Sequence, residues 1–192
     1  MTSEVYSVLL ISKDTKISSM ITSMLVPPVF DLTLCTDYNE ARRIAKERSF
    51  QIVIVDSDDS GDADLAIDIS DSLSTILLMV PGVHFDQVSY SVEAYGILTI
   101  TKPFDAFYFY NMIKIAIAVH YKINVLSSQT VKLKEKMEEI RQVNRAKMLL
   151  MQSLSMTEQE AHRYLEKQAM DRGMKRLAVA EEVIRNYGQV SS

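Results

Sequence analysis

The chain has 192 residues, of which 47% are apolar and 24% charged, which suits one ordinary domain with an appendage or two small domains. That composition excludes several classes: no apolar run reaches membrane-span length, the start Met1-Thr-Ser-Glu-Val lacks signal-peptide regions, and a lone Cys35 forms no internal disulfide. The net charge is -4, and with one cysteine and no targeting signal a cytoplasmic protein is expected.

Taken in order, Val8-Leu9-Leu10-Ile11 is a short continuous apolar run, as expected of a strand buried on both faces. Lys16 to Leu25 has helical spacing at Ile17, Met20, Ile21 and Leu25, and Pro27-Pro28 stops it. Asp31 to Thr36 alternates as a second strand, and Asn39 to Arg48 reads as a second helix. Ile52-Val53-Ile54-Val55 is the next buried strand and ends at Asp56. After a polar loop, Ser57 to Asp62, a helix carries Leu65, Ile67, Ile69 and Leu73. Ile76 to Val80 is a fourth strand closed by Pro81-Gly82. Phe85 to Ala94 reads as a helix, and Ile97 to Ile100 as a fifth strand before Lys102-Pro103-Phe104. Strands alternating with helices predict an α/β domain over residues 1–121, with a parallel five-stranded sheet covered on both sides. The flavodoxin-like order 2-1-3-4-5 fits it and puts functional loops at the carboxyl ends of the strands.

This arrangement resembles the receiver domain of bacterial response regulators, in which an Asp after the third strand accepts a phosphoryl group and a Lys-Pro follows the fifth. Asp56 and Lys102 match those positions, and three others depart. Where receivers place two acids that hold Mg²⁺, this chain has Ser12-Lys13, with Asp14 one place further on. Where receivers place a Ser or Thr, it has Val80. Mg²⁺ asks for a near-octahedral oxygen shell, which Asp56 beside Lys13 supplies poorly. Two readings of Asp56 follow: a phosphoacceptor, with Asp58 and Asp59 replacing the missing acids, or a leftover carboxylate paired with Lys13 or Lys102. Mg²⁺ is expected only under the first, and no cofactor under the second. His84, His120 and His162 have no cysteine or carboxylate at ligand spacing, so no structural metal is expected.

From Asp105 to Leu154 the chain has neither glycine nor proline, and apolar residues recur in steps of three and four. As a heptad, the a positions are Ala116, Ile123, Thr130, Met137 and Asn144. The d positions are Met112, Val119, Leu126, Leu133 and Ile140. At about 1.5 Å per residue such a helix is on the order of 70 Å long. Residues 105–150 therefore read as a coiled-coil segment pairing two copies, through Ile123, Leu126, Leu133, Met137, Ile140 and Asn144. Asn144 at an a position favours two strands. Lys122 and Lys136 at g, with Lys134 and Arg141 at e, leave the orientation open, and a helix packing back on its own domains is the other reading.

Charge is unevenly distributed. Residues 1–104 carry 7 Lys/Arg against 15 Asp/Glu, a net of -8, and residues 132–176 carry 11 against 7, a net of +4. A regulated nucleic-acid binder has this asymmetry, and so do two solvated surfaces of differing composition. Thr157 with Glu160 forms a capping-box pattern opening a helix that Gly173 ends. A further helix carries Leu177, Ala180, Val183 and Ile184 on one stripe, up to Gly188.

Over 138–190, Arg145-Ala146-Lys147-Met148-Leu149-Leu150-Met151, Thr157-Glu158-Gln159-Glu160-Ala161, Ala169-Met170 and Leu177-Ala178-Val179-Ala180 together resemble the ANTAR domain. That pattern reads Ala-Lys-Gly-x-Leu-Met, Ser/Thr-Glu-x-x-Ala, Ala-Met and Val-Ala, with Met148 here in place of the frequent Gly. The resemblance implies a three-helix RNA-binding module of a transcription antiterminator, joined to a receiver through a coiled coil. It further implies a homodimer that binds leader-transcript hairpins. The degenerate receiver is similar to that of the amidase-operon antiterminators, which a partner protein controls. Candidate RNA contacts are Lys147, Arg163, Tyr164, Lys167, Arg172, Lys175 and Arg176. A phosphorylation-switched regulator and a dimerising adaptor without nucleic acid are the competing readings, and no enzyme activity is expected.

Overall fold

A computed structural model describes residues 5–58 and 63–188 of the chain. Two compact units divide it, Met1–Leu126 and Ser127–Ser192.

In the first unit, β1 (Tyr6–Ile11), β2 (Phe30–Cys35), β3 (Ile52–Asp56), β4 (Thr75–Pro81) and β5 (Leu98–Lys102) form one sheet. All pairings are parallel, and the order is β2-β1-β3-β4-β5, the doubly wound order expected. Because side chains alternate along a strand, each apolar run supplies two cores. Leu9, Ile11, Val53, Val55, Leu78 and Val80 face the side covered by α2 (Tyr38–Glu47), α3 (Ala63–Asp68) and α4 (Phe85–Val92). Val8, Leu10, Ile52, Ile54, Leu77 and Met79 face α1 (Thr15–Met24) and the start of α5 (Ala106–Leu154). Burial on both faces is why these strands read as unbroken apolar runs.

Two elements differ from expectation. The third helix is cut to six residues, leaving Leu73 56% exposed. Ser70 and Ser72 hydroxyls donate to the Ile67 and Ile69 carbonyls at 2.7 and 2.9 Å, a local pairing that competes with helix propagation. At the fifth strand, Lys102 is its last residue rather than following it, which aims its side chain across the carboxyl edge of the sheet toward β3.

Asp105 Oδ1 accepts the Tyr108 N–H at 2.8 Å and starts α5 in the manner of an N-cap. In the first unit α5 buries Phe109, Ile113, Ala116 and His120. This stripe is offset from the predicted heptad: Ala116 is common to both, but Met112 and Val119 are only half-buried. The reason is that this part of α5 covers the sheet, so its innermost positions follow the sheet surface. Among the described residues, no helix is long and apolar enough to cross a membrane.

In the second unit, the last turns of α5 pack with α6 (Glu158–Asp171) and α7 (Arg176–Tyr187). Val143, Ala146 and Leu150 meet Ala161 and Leu165 of α6 and Val179, Ala180 and Val183 of α7 in one buried cluster. The capping box is present: the Thr157 hydroxyl accepts the Glu160 N–H at 3.3 Å, and Glu160 Oε2 accepts the Thr157 N–H at 2.8 Å. Gly173 takes a positive φ of 59°, the left-handed residue that closes α6.

Candidate functional site

Asp56 closes β3 at the carboxyl edge of the sheet and is 2% exposed. Lys102 Nζ donates to its Oδ1 at 2.6 Å, and the Ser12 hydroxyl donates to its Oδ2 at 2.6 Å. Lys102 also lies 3.4 Å from Asp58 Oδ1. The pairing with Lys13 does not form. Lys13 Nζ sits 4.1 Å from the Tyr38 ring centroid, a cation–π contact, and the Tyr38 hydroxyl donates to the Asp56 carbonyl at 3.1 Å. Lys13 thus reaches Asp56 only through Tyr38, because neighbouring residues leaving a strand point to different sides.

Asp14 has a different task from the one its place beside Ser12-Lys13 suggested. It caps α1, with Oδ1 accepting from the Lys16 and Ile17 N–H groups at 2.7 and 3.2 Å. Val80 is fully buried in the core, so no hydroxyl stands at the end of β4. These residues do not fit Mg²⁺: both Asp56 oxygens are engaged by protein donors, a hydroxyl and an ammonium replace the paired acids, and Asp14 serves a helix end. Asp59 lies outside the described residues. Among those described, no group of three or more His, Cys, Asp or Glu residues gathers as a metal site.

In the second unit the candidate cations divide into two sets. Lys147 donates to Glu158 Oε1 at 2.8 Å with its side chain 15% exposed. Arg172 grips Glu182 in bidentate fashion at 2.6 and 2.9 Å, and Arg176 lies 3.9 Å from Glu166. Arg163, Lys167 and Lys175 are exposed and enter no ion pair among the described residues. Tyr164 is half-buried against the module's core. Arg145 and Arg185 are also exposed and are not among the candidate contacts named from the sequence. Helical phase holds the signal for them, since each lies off the buried stripe of its helix.

These ion pairs set an acid limit for the module. The hydrogen bond from Lys147 lowers the Glu158 pKa, the backbone N–H of Thr157 lowers that of Glu160, and Arg172 lowers that of Glu182. A lowered carboxylate contributes stability above its ordinary value of 4.5 and loses it as pH falls through the folded-state value. Helix content followed by far-UV circular dichroism during urea unfolding is therefore expected to show a falling midpoint below that pH. Glu158→Gln with Glu182→Gln should flatten this acid limb, and an unchanged limb would refute the assignment.

The predicted pairing positions lie on α5. In the first unit Ile123 is half-buried and Leu126 exposed; in the second, Leu133, Met137, Ile140 and Asn144 are exposed. Met148 and Met151 continue that exposed stripe. From Ile140 it advances by four to Asn144 and by four again to Met148, an added step that locally unwinds a left-handed coil.

Comparison with known proteins agrees with both units. Residues 131–184 match the ANTAR domain. The chain is similar to the aliphatic amidase regulator of Pseudomonas aeruginosa, with 34% identity over 95 residues, covering 50% of this chain and 47% of that protein. It thus spans about half the length of that relative. It is also similar to the transcriptional regulatory protein PdtaR of Mycobacterium tuberculosis, with 29% identity over 156 residues, 79% of this chain and 76% of that one. Among solved structures, a receiver domain from Methanospirillum hungatei matches with a TM-score of 0.55 and 15% identity, covering 62% of this chain and 98% of that one. Full-length FixJ from B. japonicum matches with a TM-score of 0.54 and 16% identity, covering 97% and 98%. At such identities the two structures establish the receiver fold alone. The second unit thus carries an ANTAR domain match over residues 131–184, and the first unit has the receiver fold.

Proposed function

We propose that this protein is an RNA-binding transcription antiterminator of the cytoplasm. As a homodimer it holds hairpins in a nascent leader transcript, so that a competing terminator does not form. The observation that carries the reading is the three-helix module over the ANTAR match, with Arg145, Arg163, Lys167, Lys175 and Arg185 exposed and outside its ion pairs. Cations not engaged within the fold are the ones available to phosphates, while loop bases provide sequence. The exposed stripe of Leu133, Met137, Ile140, Asn144, Met148 and Met151 supports pairing of two copies.

Control passes through a partner protein or ligand rather than Mg²⁺-dependent phosphorylation. What supports this is the Asp56 cluster, where Lys102 and Ser12 already occupy the two carboxylate oxygens. Gel-shift binding of the full chain to a two-hairpin leader RNA and to matched duplex DNA tests the first claim. Preference for RNA is expected, and tight duplex binding without it overturns the reading. Incubation with Mg²⁺ and acetyl phosphate tests the second: no modification is expected, and stoichiometric modification abolished in Asp56→Asn overturns it.

A further inference from the structure

Helix α6 presents two faces. Ala161 and Leu165 enter the core of the module, with Tyr164 and Ala169 packed beside them. On the opposite side Gln159, Arg163, Lys167 and Met170 follow one another at steps of four, four and three, which brings them onto one outer crest. All four are exposed, and Met170, at 81%, is the most exposed large apolar side chain described in the second unit. A single exposed apolar residue is ordinary; its electrostatic setting is not.

The acids around the crest are engaged inside the module. Glu158 holds Lys147, Glu160 closes the capping box, and Glu166 is shared by His162 at 3.2 Å and Arg176 at 3.9 Å. Arg163 and Lys167 are not tied in this way. The remaining acid, Asp171, follows Met170 directly in sequence, exposed and without an ion pair among the described residues. A phosphate is therefore favoured beside Arg163 and Lys167 and disfavoured at the Met170 end. The outer face of α7 lacks this separation, since Glu181 is exposed there together with Arg185.

From this we infer that the outer crest of α6 reads the single-stranded loop of a hairpin RNA. Arg163 and Lys167 hold the loop backbone, Gln159 supplies an amide to a base edge, and Met170 packs against the face of an unstacked base. Thioether–aromatic contact is favourable and tolerant of which base is presented, and unpaired loop bases are the ones RNA-binding proteins can reach. The inference rests on the proposed RNA-binding function and adds to it a face and a division of labour.

The test uses the full chain with two probes: a pool of RNA hairpins with a fixed stem and randomised loop, and the same stem as a blunt RNA duplex. Met170→Ser is expected to lower the preference for the looped pool by about fivefold, with the salt dependence of binding unchanged. Met170→Leu should retain the preference. Lys167→Gln should weaken binding of the looped pool about equally across loop sequences and reduce its salt slope by about one. Wild-type preference in Met170→Ser, with circular dichroism showing its helices intact, overturns the inference, as does an unchanged salt slope in Lys167→Gln. Failure of the wild-type chain to bind either RNA overturns the underlying function instead, so the two failures are distinguishable.

Discussion

Replacing Lys102 by methionine is expected to destabilise the first unit by about 3–5 kcal/mol, the usual cost of leaving a buried charge without its partner. Asp56 is 2% exposed, and its Oδ1 accepts from the Lys102 ammonium at 2.6 Å, while Ser12 serves the other oxygen. Lys13 is held over the Tyr38 ring and offers no ready replacement. The double variant Asp56→Asn/Lys102→Met removes both charges, and most of the lost stability should return, because a neutral amide needs only hydrogen bonds there. Urea unfolding of the wild type, both single variants and the double variant completes the cycle. A Lys102→Met protein within about 1 kcal/mol of wild type would show that the pair contributes little.

How far this cluster could be read from sequence depended on distance along the chain. The sheet was legible because Val8–Ile11, Ile52–Val55 and Ile76–Val80 are apolar runs between polar loops, and Asp56 was placed at a strand end by the same pattern. Its partners were less so. Lys13 and Lys102 both stood as candidates, and the choice rested on side-chain direction at the ends of β1 and β5, which no local signal encodes. The capping box of Thr157 and Glu160 and the left-handed Gly173 were legible, since each is complete within a few residues. The ion pairs Lys147–Glu158 and Arg172–Glu182 join residues 11 and 10 apart on different elements.

Helix α5 shows why periodicity alone misassigns a face. Phe109, Ile113, Ala116 and His120 recur at the same steps of three and four as Leu126, Thr130, Leu133, Met137 and Ile140. The first set is buried within the first unit and the second is exposed. A stripe that covers its own domain and one that awaits a partner have the same spacing, so the predicted heptad ran through both and was mis-phased in the first. Met148, which departs from the frequent ANTAR glycine, gains a physical account once the exposed stripe is followed past Asn144: it is the next residue on that face.

Ile140→Glu is therefore expected to split the proposed homodimer and to weaken binding to a two-hairpin RNA by about 100-fold or more, because a linked second binding event commonly contributes 10²–10⁴ in avidity. Ile140 lies between Met137 and Asn144 on the exposed stripe and is itself 51% exposed, so a charge there costs the single chain little but sets two carboxylates together in a pair. Binding to one isolated hairpin should stay near wild type, since Val143, Ala146 and Leu150, which build the module's core, lie on another face of α5. Asn144→Leu should act in the opposite sense, tightening association while loosening register and strand number. Sedimentation velocity gives the assembly state, and titration with one-hairpin and two-hairpin RNAs gives the affinities. A dimeric Ile140→Glu protein, or equal loss on both RNAs, would refute the pairing role. The stripe also runs into the helix that begins the ANTAR core. A partner protein covering Leu133 to Met151 would therefore block pairing while leaving Arg163, Lys167 and Met170 uncovered on α6. Such a partner would abolish two-hairpin avidity yet spare one-hairpin binding, the same signature as Ile140→Glu.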